Sequence, residues 1–391
     1  MIDEILVWLL LFALLYLLVT SVVLLRNRFD FTPLVQNSAD DKNDLKISVC
    51  IPARNEESTI GTLLDSLLNQ NRQNYDIHVL DDQSEDNTQS ILQSYKEKYP
   101  EFLYLHNGKP KPDNWLGKPW ACNQLGELSD GEIVVFLDAD TTLQPDALSG
   151  IASSFKKYRL DMLTVWPKQR LMTFWEKTVI PLIYYSLLTL LPAIYVYRSP
   201  RWMPGFLKKY FDPKFAAACG QCIAFKRKSY EQIGGHKSVK KKVVEDVELA
   251  KIVKKRGLTM RMFNGMGTIS CRMYENQREM LQGLRKNFLA GFGHSIPLFL
   301  SAALLHIIVF VLPFITIITS FITGNIMLFY LSVASVTIIL LHRLILSIWF
   351  RWDPIFSFTH PLGVLWFQRL GLIKLSDFFT GRSSTWKGRK V

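Results

Sequence analysis

Apolar residues fall along this chain in two textures. From Ile5 to Leu25 they run for 21 positions without a charge, and long runs recur from Ile296 to Ile322 and from Ile326 to Phe350, the last broken by His342 and Arg343. Between those blocks they come instead in short groups separated by amphipathic stretches. A helix of 21 residues is about 30 Å long, the thickness of a bilayer core. The first run therefore predicts an anchor over residues 1–28. A secretory signal is the competing reading, but Asp3 and Glu4 precede the run, Arg26 and Arg28 follow it, and no small-x-small cleavage site is evident. The runs at 296–350, joined at Gly324-Asn325, predict a membrane hairpin. Arg351 and the first arginines mark the cytoplasmic side. Residues 351–391 carry Pro361, Gly363, Gln368 and Arg369 and then a basic tail, "WKGRK", which predicts an interfacial segment and a tail kept inside, for three crossings in all.

The middle of the chain has a different period. "KISVCI", "DIHVL", "FLYLH" and "EIVVFL" read as buried strands. Thr59 to Asn69, with Ile60, Leu63, Leu64, Leu67 and Leu68 on one face, reads as a helix, as does the stretch around Ile91 to Tyr95. Strand and helix in alternation predict an α/β domain over residues 46–290 with a Rossmann-like, mostly parallel sheet. The polar stretch Gln36 to Asp44, within residues 29–45, is its linker to the anchor. Thr178 to Tyr197, with Pro181, Pro192 and tyrosines 184, 185, 195 and 197, reads equally as an interfacial segment (174–210) or as an ordinary buried helix.

Charge and cysteine narrow the picture further. The net charge of +12 suits an anionic membrane face; no nucleic-acid recognition motif accompanies it, so nucleic acid is set aside as a partner. Five cysteines in a domain expected on the cytoplasmic side do not suggest a disulfide framework, and Cys219-x-x-Cys222 lacks a second ligand pair.

In open α/β sheets, ligands bind beyond the carboxyl ends of the strands. "PARNEE" (Pro52–Glu57), "DDQSEDNT" (Asp81–Thr88) and "DAD" (Asp138–Asp140) all follow such strands, so three acidic clusters converge on one rim. Asp138 and Asp140 are two residues apart and can face one side, where their mutual repulsion is relieved by a divalent cation. Mg²⁺ or Mn²⁺ prefers oxygen ligands and can bridge carboxylate to diphosphate. A DxD alone is as readily a solvated turn; the ordered set is what makes it informative.

"SVCIPARNEESTIGTLLDSLLNQ", "VLDDQSEDNT", "VVFLDAD" and "VVEDVELA", in this order, resemble family 2 glycosyltransferases over about Lys46 to Asn287. The resemblance implies a GT-A nucleotide-diphospho-sugar transferase fold, a UDP-sugar donor and an inverting transfer. It implies that Pro52, Ala53, Arg54 and Glu56 hug the uridine, that Asp81 or Asp82 accepts from the uracil, and that Lys118 lies near the diphosphate. It further implies that Glu245 and Asp246 face the acceptor with Asp246 as general base, that Gly220 and Gln221 line the acceptor side, and that Gln282 and Arg285 cap the diphosphate. Lys286 stands where processive relatives carry an aromatic residue, which argues against a polysaccharide synthase, the first alternative; an inactive protein of the same fold is the second.

Nearly the whole chain, including "IGGHKS", "RMYENQREMLQGLRKN" and "HPLG", is similar to carotenoid glycosyltransferases acting on 4,4'-diaponeurosporenoate, and more distantly to hopanoid-associated and chlorobactene glucosyltransferases. That implies glucose as the sugar, a membrane-dissolved acceptor, hand-over from other carotenoid-pathway enzymes, and a multi-pass protein of the cell membrane with a cytoplasmic catalytic domain. A carboxylic acid acceptor is already ionised at neutral pH and needs no base, so Asp246 leans toward a hydroxyl acceptor or a positioning role.

Overall fold

The computed structural model describes residues 2–35, 45–288, 291 and 295–380, and the backbone of 385–386 and 389–390. The linker at Gln36 to Asp44 and most of the basic tail lie outside the described residues. Eight strands form one sheet: β1 (Ile47–Ala53), β2 (Tyr75–Asp81), β3 (Leu103–Asn107), β4 (Ile133–Leu137), β5 (Thr141–Leu143), β6 (Met162–Gln169), β7 (Cys222–Lys226) and β8 (Met260–Cys271). Their order is β3-β2-β1-β4-β7-β6-β8-β5.

The pairing directions explain how the rim is built. β3, β2, β1 and β4 are parallel, β7 runs antiparallel to both β4 and β6, and β6 is parallel to β8. The carboxyl ends of β1, β2, β4, β6 and β8 thus share one edge, and reversal of β7 brings its amino end to the same edge. Residues 219–221, just before β7, therefore sit beside Asp138, whose N–H donates to the Gln221 carbonyl at 3.3 Å. β5 folds straight back from Asp140 along β8, pairing Thr141 with Cys271.

Every residue of β2 and β4 is buried, as expected of strands covered on both faces. One core packs Leu63, Leu67, Ile151 and Phe155 against one side of the sheet. The other runs from Val134, Phe225 and Leu249 without a break into Leu17, Leu24, Val309, Ile339 and Leu346 of the apolar helices. The catalytic domain and the helical bundle share a core. Asn27, fully buried near the end of helix Ile2–Asp30, fastens them. Its amide donates to the carbonyls of Leu188 and Leu191 at 2.8 and 2.9 Å and accepts from the Ala193 N–H at 2.7 Å.

Helices Ile2–Asp30 and Ile326–Phe350 are long and apolar enough to cross a membrane. The first arm of the expected hairpin is not one straight rod: Ile296–Phe310 and Leu312–Thr323 meet at a 40° bend, and only if that pair counts as one span are there three. Pro313, in the first turn of the second piece, lacks the N–H that would continue the ladder. Helix Phe174–Leu190 starts at a capping box between Thr173 and Glu176. It is packed rather than laid on a surface, with Tyr184, Tyr185 and Leu188 buried. The apolar exposure of the 174–210 stretch is at the helix ends, Phe174 and Leu190, and is greatest later, at Trp202, Phe206 and Tyr210. Residues 360–380 form one unbroken helix; Pro361 falls in its first turn, where a missing N–H costs nothing.

Candidate active site

β4 delivers five buried apolar residues and stops at Asp138. The Thr141 N–H and hydroxyl both donate to the Asp138 carbonyl, at 3.2 and 2.8 Å, which turns the chain and leaves both aspartates at the rim. From the neighbouring helix Gly117–Leu128, Lys118 reaches over. Its Nζ lies 2.6 Å from Asp138 Oδ1 and 3.2 Å from Glu245 Oε1. Burial works against the lysine's charge, but the two carboxylates outweigh it and hold its pKa well above the ordinary value.

Glu245 and Asp246 open helix Glu245–Lys255, where the positive end of the helix dipole favours carboxylates. Asp246 Oδ1 accepts from the Val247 N–H at 2.8 Å. Burial, reinforced by the Glu245 charge and opposed by Lys118, pushes the Asp246 carboxyl up to about 7. Gly220 lies between these groups: a Cβ there would stand 3.1 Å from Lys118 Nζ and 3.2 Å from Asp246 Oδ2. The rim thus brings together Lys118, Asp138, Gly220, Glu245 and Asp246, from four separate segments.

Asp140 is the other titrating group. Burial first, then the charges of Asp138 and Glu56, raise its carboxyl to about 7, and its buried Oδ1 has no hydrogen-bond partner among the described residues. An orphaned carboxylate oxygen beside a second carboxylate is a donor set that fits Mg²⁺ or Mn²⁺. No group of three His, Cys, Asp or Glu side chains converges among the described residues, so the remaining ligands would have to come from a diphosphate and water. A cavity of about 230 Å³ opens beside Asp140, lined also by Thr59, Arg170, Met172 and Arg272.

The loops after β1 and β2 are laced together. Arg54 Nη1 donates to the carbonyls of Asp82 and Gln83 at 2.7 and 2.5 Å, its Nη2 reaches Glu85 at 2.8 Å, and Asn55 Oδ1 accepts from the Glu85 N–H at 2.8 Å. Asn55 and Gln83 adopt φ of 53° and 60°, a strained setting that cross-bracing of this kind sustains. Arg54 therefore ties the loop that carries Pro52, Ala53 and Glu56 to the loop after β2. Asp81 Oδ1 accepts from the Ser84 hydroxyl at 2.5 Å and from its N–H at 3.2 Å, so that carboxylate holds the turn.

Two expected residues, Gln221 and Arg285, are engaged by protein partners. The Gln221 amide is buried and bridges the Gln169 amide and Cys271. Arg285 forms a two-pronged ion pair with Asp377 of helix His360–Thr380, and Gln282 is exposed on the same helix as Arg285. Residues that sequence reasoning did not single out also reach the site: Gln169 and Arg170 from the end of β6, and Cys271 and Arg272 from the end of β8. Gln169, Arg170 and Cys271 belong to no motif, and Arg272 opens "RMYENQREMLQGLRKN" with no role assigned to it; the strand order brings all four here.

A mostly parallel sheet with Asp138, Asp140 and Asp246 gathered at its rim has the GT-A architecture of glycosyltransferases. The whole described fold is similar to a mannosyltransferase from Pyrobaculum calidifontis, solved in complex with GDP-Man and Mn²⁺, at a TM-score of 0.56 and 17% identity over 95% of this chain and 99% of that one. Residues 48–234 match Glycosyl transferase family 2, and residues 211–389 match Glycosyl transferase family 21. Both matches are to glycosyltransferases, and each spans a little under half of the chain. Among curated relatives it is 28% identical over 255 residues to a 4,4'-diaponeurosporenoate glycosyltransferase of Staphylococcus haemolyticus, a match spanning 64% of this chain and 63% of that protein's length. It is 24% identical over 356 residues to the protein of the same name from Staphylococcus aureus strain MRSA252, covering 89% and 88% of the two chains.

Proposed function

We propose that this glycosyltransferase moves glucose from UDP-glucose, with inversion at the anomeric carbon, to a membrane-dissolved lipid acceptor, a carotenoid such as 4,4'-diaponeurosporenoate. The observation that carries this reading is the union of two features. Lys118, Asp138, Glu245 and Asp246 surround Gly220 at the sheet rim, and the core beneath runs unbroken into helices apolar enough for a bilayer. The relatives' names support the acceptor class.

In this reading Asp82 accepts from the uracil, since the Asp81 carboxylate is engaged by Ser84. Asp138 and Asp140 would hold a divalent cation, Mg²⁺ or Mn²⁺, whose chemistry there would be to neutralise charge on the leaving diphosphate. Lys118 adds a fixed positive charge at the same edge. The acceptor oxygen bonds to the anomeric carbon as the bond from that carbon to the phosphate oxygen breaks, and UDP departs. With a hydroxyl acceptor the proton goes to Asp246; with a carboxylate acceptor Asp246 positions rather than deprotonates. The catalytic domain lies in the cytoplasm, with three crossings holding it against the cell membrane.

The test is mass spectrometry of lipid extracts from membranes containing the full chain, fed labelled UDP-glucose and a C30 carotenoid acid. A carotenoid heavier by one hexose is the expected product. Label found only in long polymer, or no label transfer to any lipid, overturns the reading.

A further inference from the structure

A second cavity, of about 330 Å³, lies at the junction of the catalytic domain and the apolar helices. Its lining is strongly basic: Lys168, Arg170, Lys177, Arg343 and Arg351 face Asp353 as the one acidic lining residue. It borders the cavity at Asp140, for Arg170 and Met172 line both. Apart from Gln169 and Ser347 the remaining wall is apolar, including Pro181 and Phe356, the latter with Lys177 Nζ 5.1 Å from its ring centre.

Arg343 is the unexpected member. It belongs to helix Ile326–Phe350, is 1% exposed, and donates from Nη2 to the Phe356 carbonyl at 3.0 Å. Its Nε and Nη1 have no hydrogen-bond partner, and no carboxylate lies within ion-pair distance of it among the described residues. A buried guanidinium left this way is costly, and costly intramembrane charge is retained where a ligand completes it. The planar guanidinium fork matches the two oxygens of a carboxylate or phosphate. Just outside, Ile348, Ile355 and Phe358 are exposed by 67%, 62% and 65%, a surface suited to an apolar chain rather than to water.

We propose that this cavity binds the anionic end group of a long apolar acceptor, with Arg343 receiving its oxygens, Lys177 and Arg351 neutralising it, and the chain leaving along Ile348, Ile355 and Phe358. The shared edge at Arg170 and Met172 puts that end group beside the donor site. The inference rests on the lipid-acceptor reading and deepens it: the protein selects acids over alcohols.

The test uses the full chain in detergent micelles, with Trp352, whose indole lines the cavity and donates to the Gln169 carbonyl at 3.0 Å, as reporter. 2-Bromohexadecanoate, carrying its bromine next to the carboxylate, is expected to quench fluorescence in a way that Trp352→Phe abolishes. It is expected to bind at least about tenfold tighter than 2-bromohexadecanol, the scale of a charge-assisted hydrogen bond. Arg343→Met should remove that preference. Because a buried substitution can fail to fold, Lys177→Gln and the exposed Arg351→Asn are measured alongside, and each should weaken the acid without weakening the alcohol. Hexadecyl phosphate in competition separates the two sources: whichever anion binds tighter names the end group. Equal binding of acid and alcohol, or an unchanged preference in folded Arg343→Met, overturns the inference. Hexose transfer to an alcohol lipid together with equal binding would leave the proposed function standing, whereas acid-selective binding with no transfer to any lipid would do the reverse.

Discussion

Gly220 has no side chain at a point where a methyl would stand 3.1 Å from Lys118 Nζ and 3.2 Å from Asp246 Oδ2. Neither neighbour can retreat easily, because Lys118 is held by Asp138 and Glu245 and Asp246 by the Val247 N–H. Gly220→Ala is expected to lower kcat by about tenfold or more, the usual effect of small misplacements of catalytic groups, with little change in Tm. Steady-state kinetics beside a melting curve decides it, and an unchanged kcat would mean the two side chains do not act together. Asp246 makes a sharper case. A base works deprotonated, and its carboxyl is raised to about 7, so turnover with an alcohol acceptor should climb as pH rises toward 7 and level off above it. With a carboxylate acceptor, whose ordinary pKa of about 4 leaves it ionised throughout, the part of that rise due to Asp246 should disappear. Asp246→Asn should cost about 10²–10⁴ in kcat on the alcohol and much less on the acid. Equal losses on both would show that Asp246 is a positioning residue for either nucleophile. At Asp138 the expectation is different in kind: Asp138→Ala, or chelation of divalent cations from the wild type, should abolish hexose transfer while the protein stays folded, and activity surviving both would remove the metal role from this pair.

At the scale of elements, what could be read in advance depended on whether chemistry sat next to a strong apolar period. β4 is a continuous apolar run and β1 and β2 are apolar but for Ser48, Asp76 and His78; all three lead directly into "PARNEE", "DDQSEDNT" and "DAD", so both the strands and the rim they supply were legible. Gln169, Arg170, Cys271 and Arg272 were not, because they reach the site through the antiparallel insertion of β7 and the return of β5 along β8, pairings that no local pattern encodes. The Pro313 bend and the unbroken helix His360–Thr380 show the same limit from the other side: proline marks a constraint, and its place within the turn decides whether the helix bends or begins. Helix Gln277–Asn287 carries a further case. The sequence resemblance puts Arg285 over the diphosphate, whereas its guanidinium holds Asp377, whose side chain is only 7% exposed. Asp377→Asn is expected to lower Tm by a few degrees, as a partly buried pair should, and Arg285→Ala to add little to it in the double variant. If instead Arg285→Ala raises KM for the donor severalfold while Asp377→Asn does not, Arg285 leaves its partner to reach the nucleotide during turnover.

For the whole molecule, the consequence of a shared core is that the catalytic domain is not a passenger on a tether. Leu17 and Leu24 of the first helix belong to the same buried cluster as Val134 and Phe225 of the sheet, and Asn27 stands where the two meet. Its side chain satisfies two carbonyls and one N–H around the end of helix Phe174–Leu190, those of Leu188 and Ala193 buried and that of Leu191 partly so. Asn27→Leu keeps most of the volume but leaves those three backbone groups without partners, at about 1–3 kcal/mol for each buried group. We therefore expect that variant to lose Tm by more than any substitution at the donor site, and to lose transfer to a lipid acceptor before it loses donor hydrolysis, since helix Phe174–Leu190 also carries Lys177 and Pro181 to the basic cavity. Removing residues 2–30 should for the same reason yield a catalytic domain that does not fold cooperatively, rather than a soluble enzyme. A cooperative melt and intact donor binding in that truncated chain would mean that the two halves merely touch, and that the lipid is delivered to the site by the membrane surface instead of by the bundle.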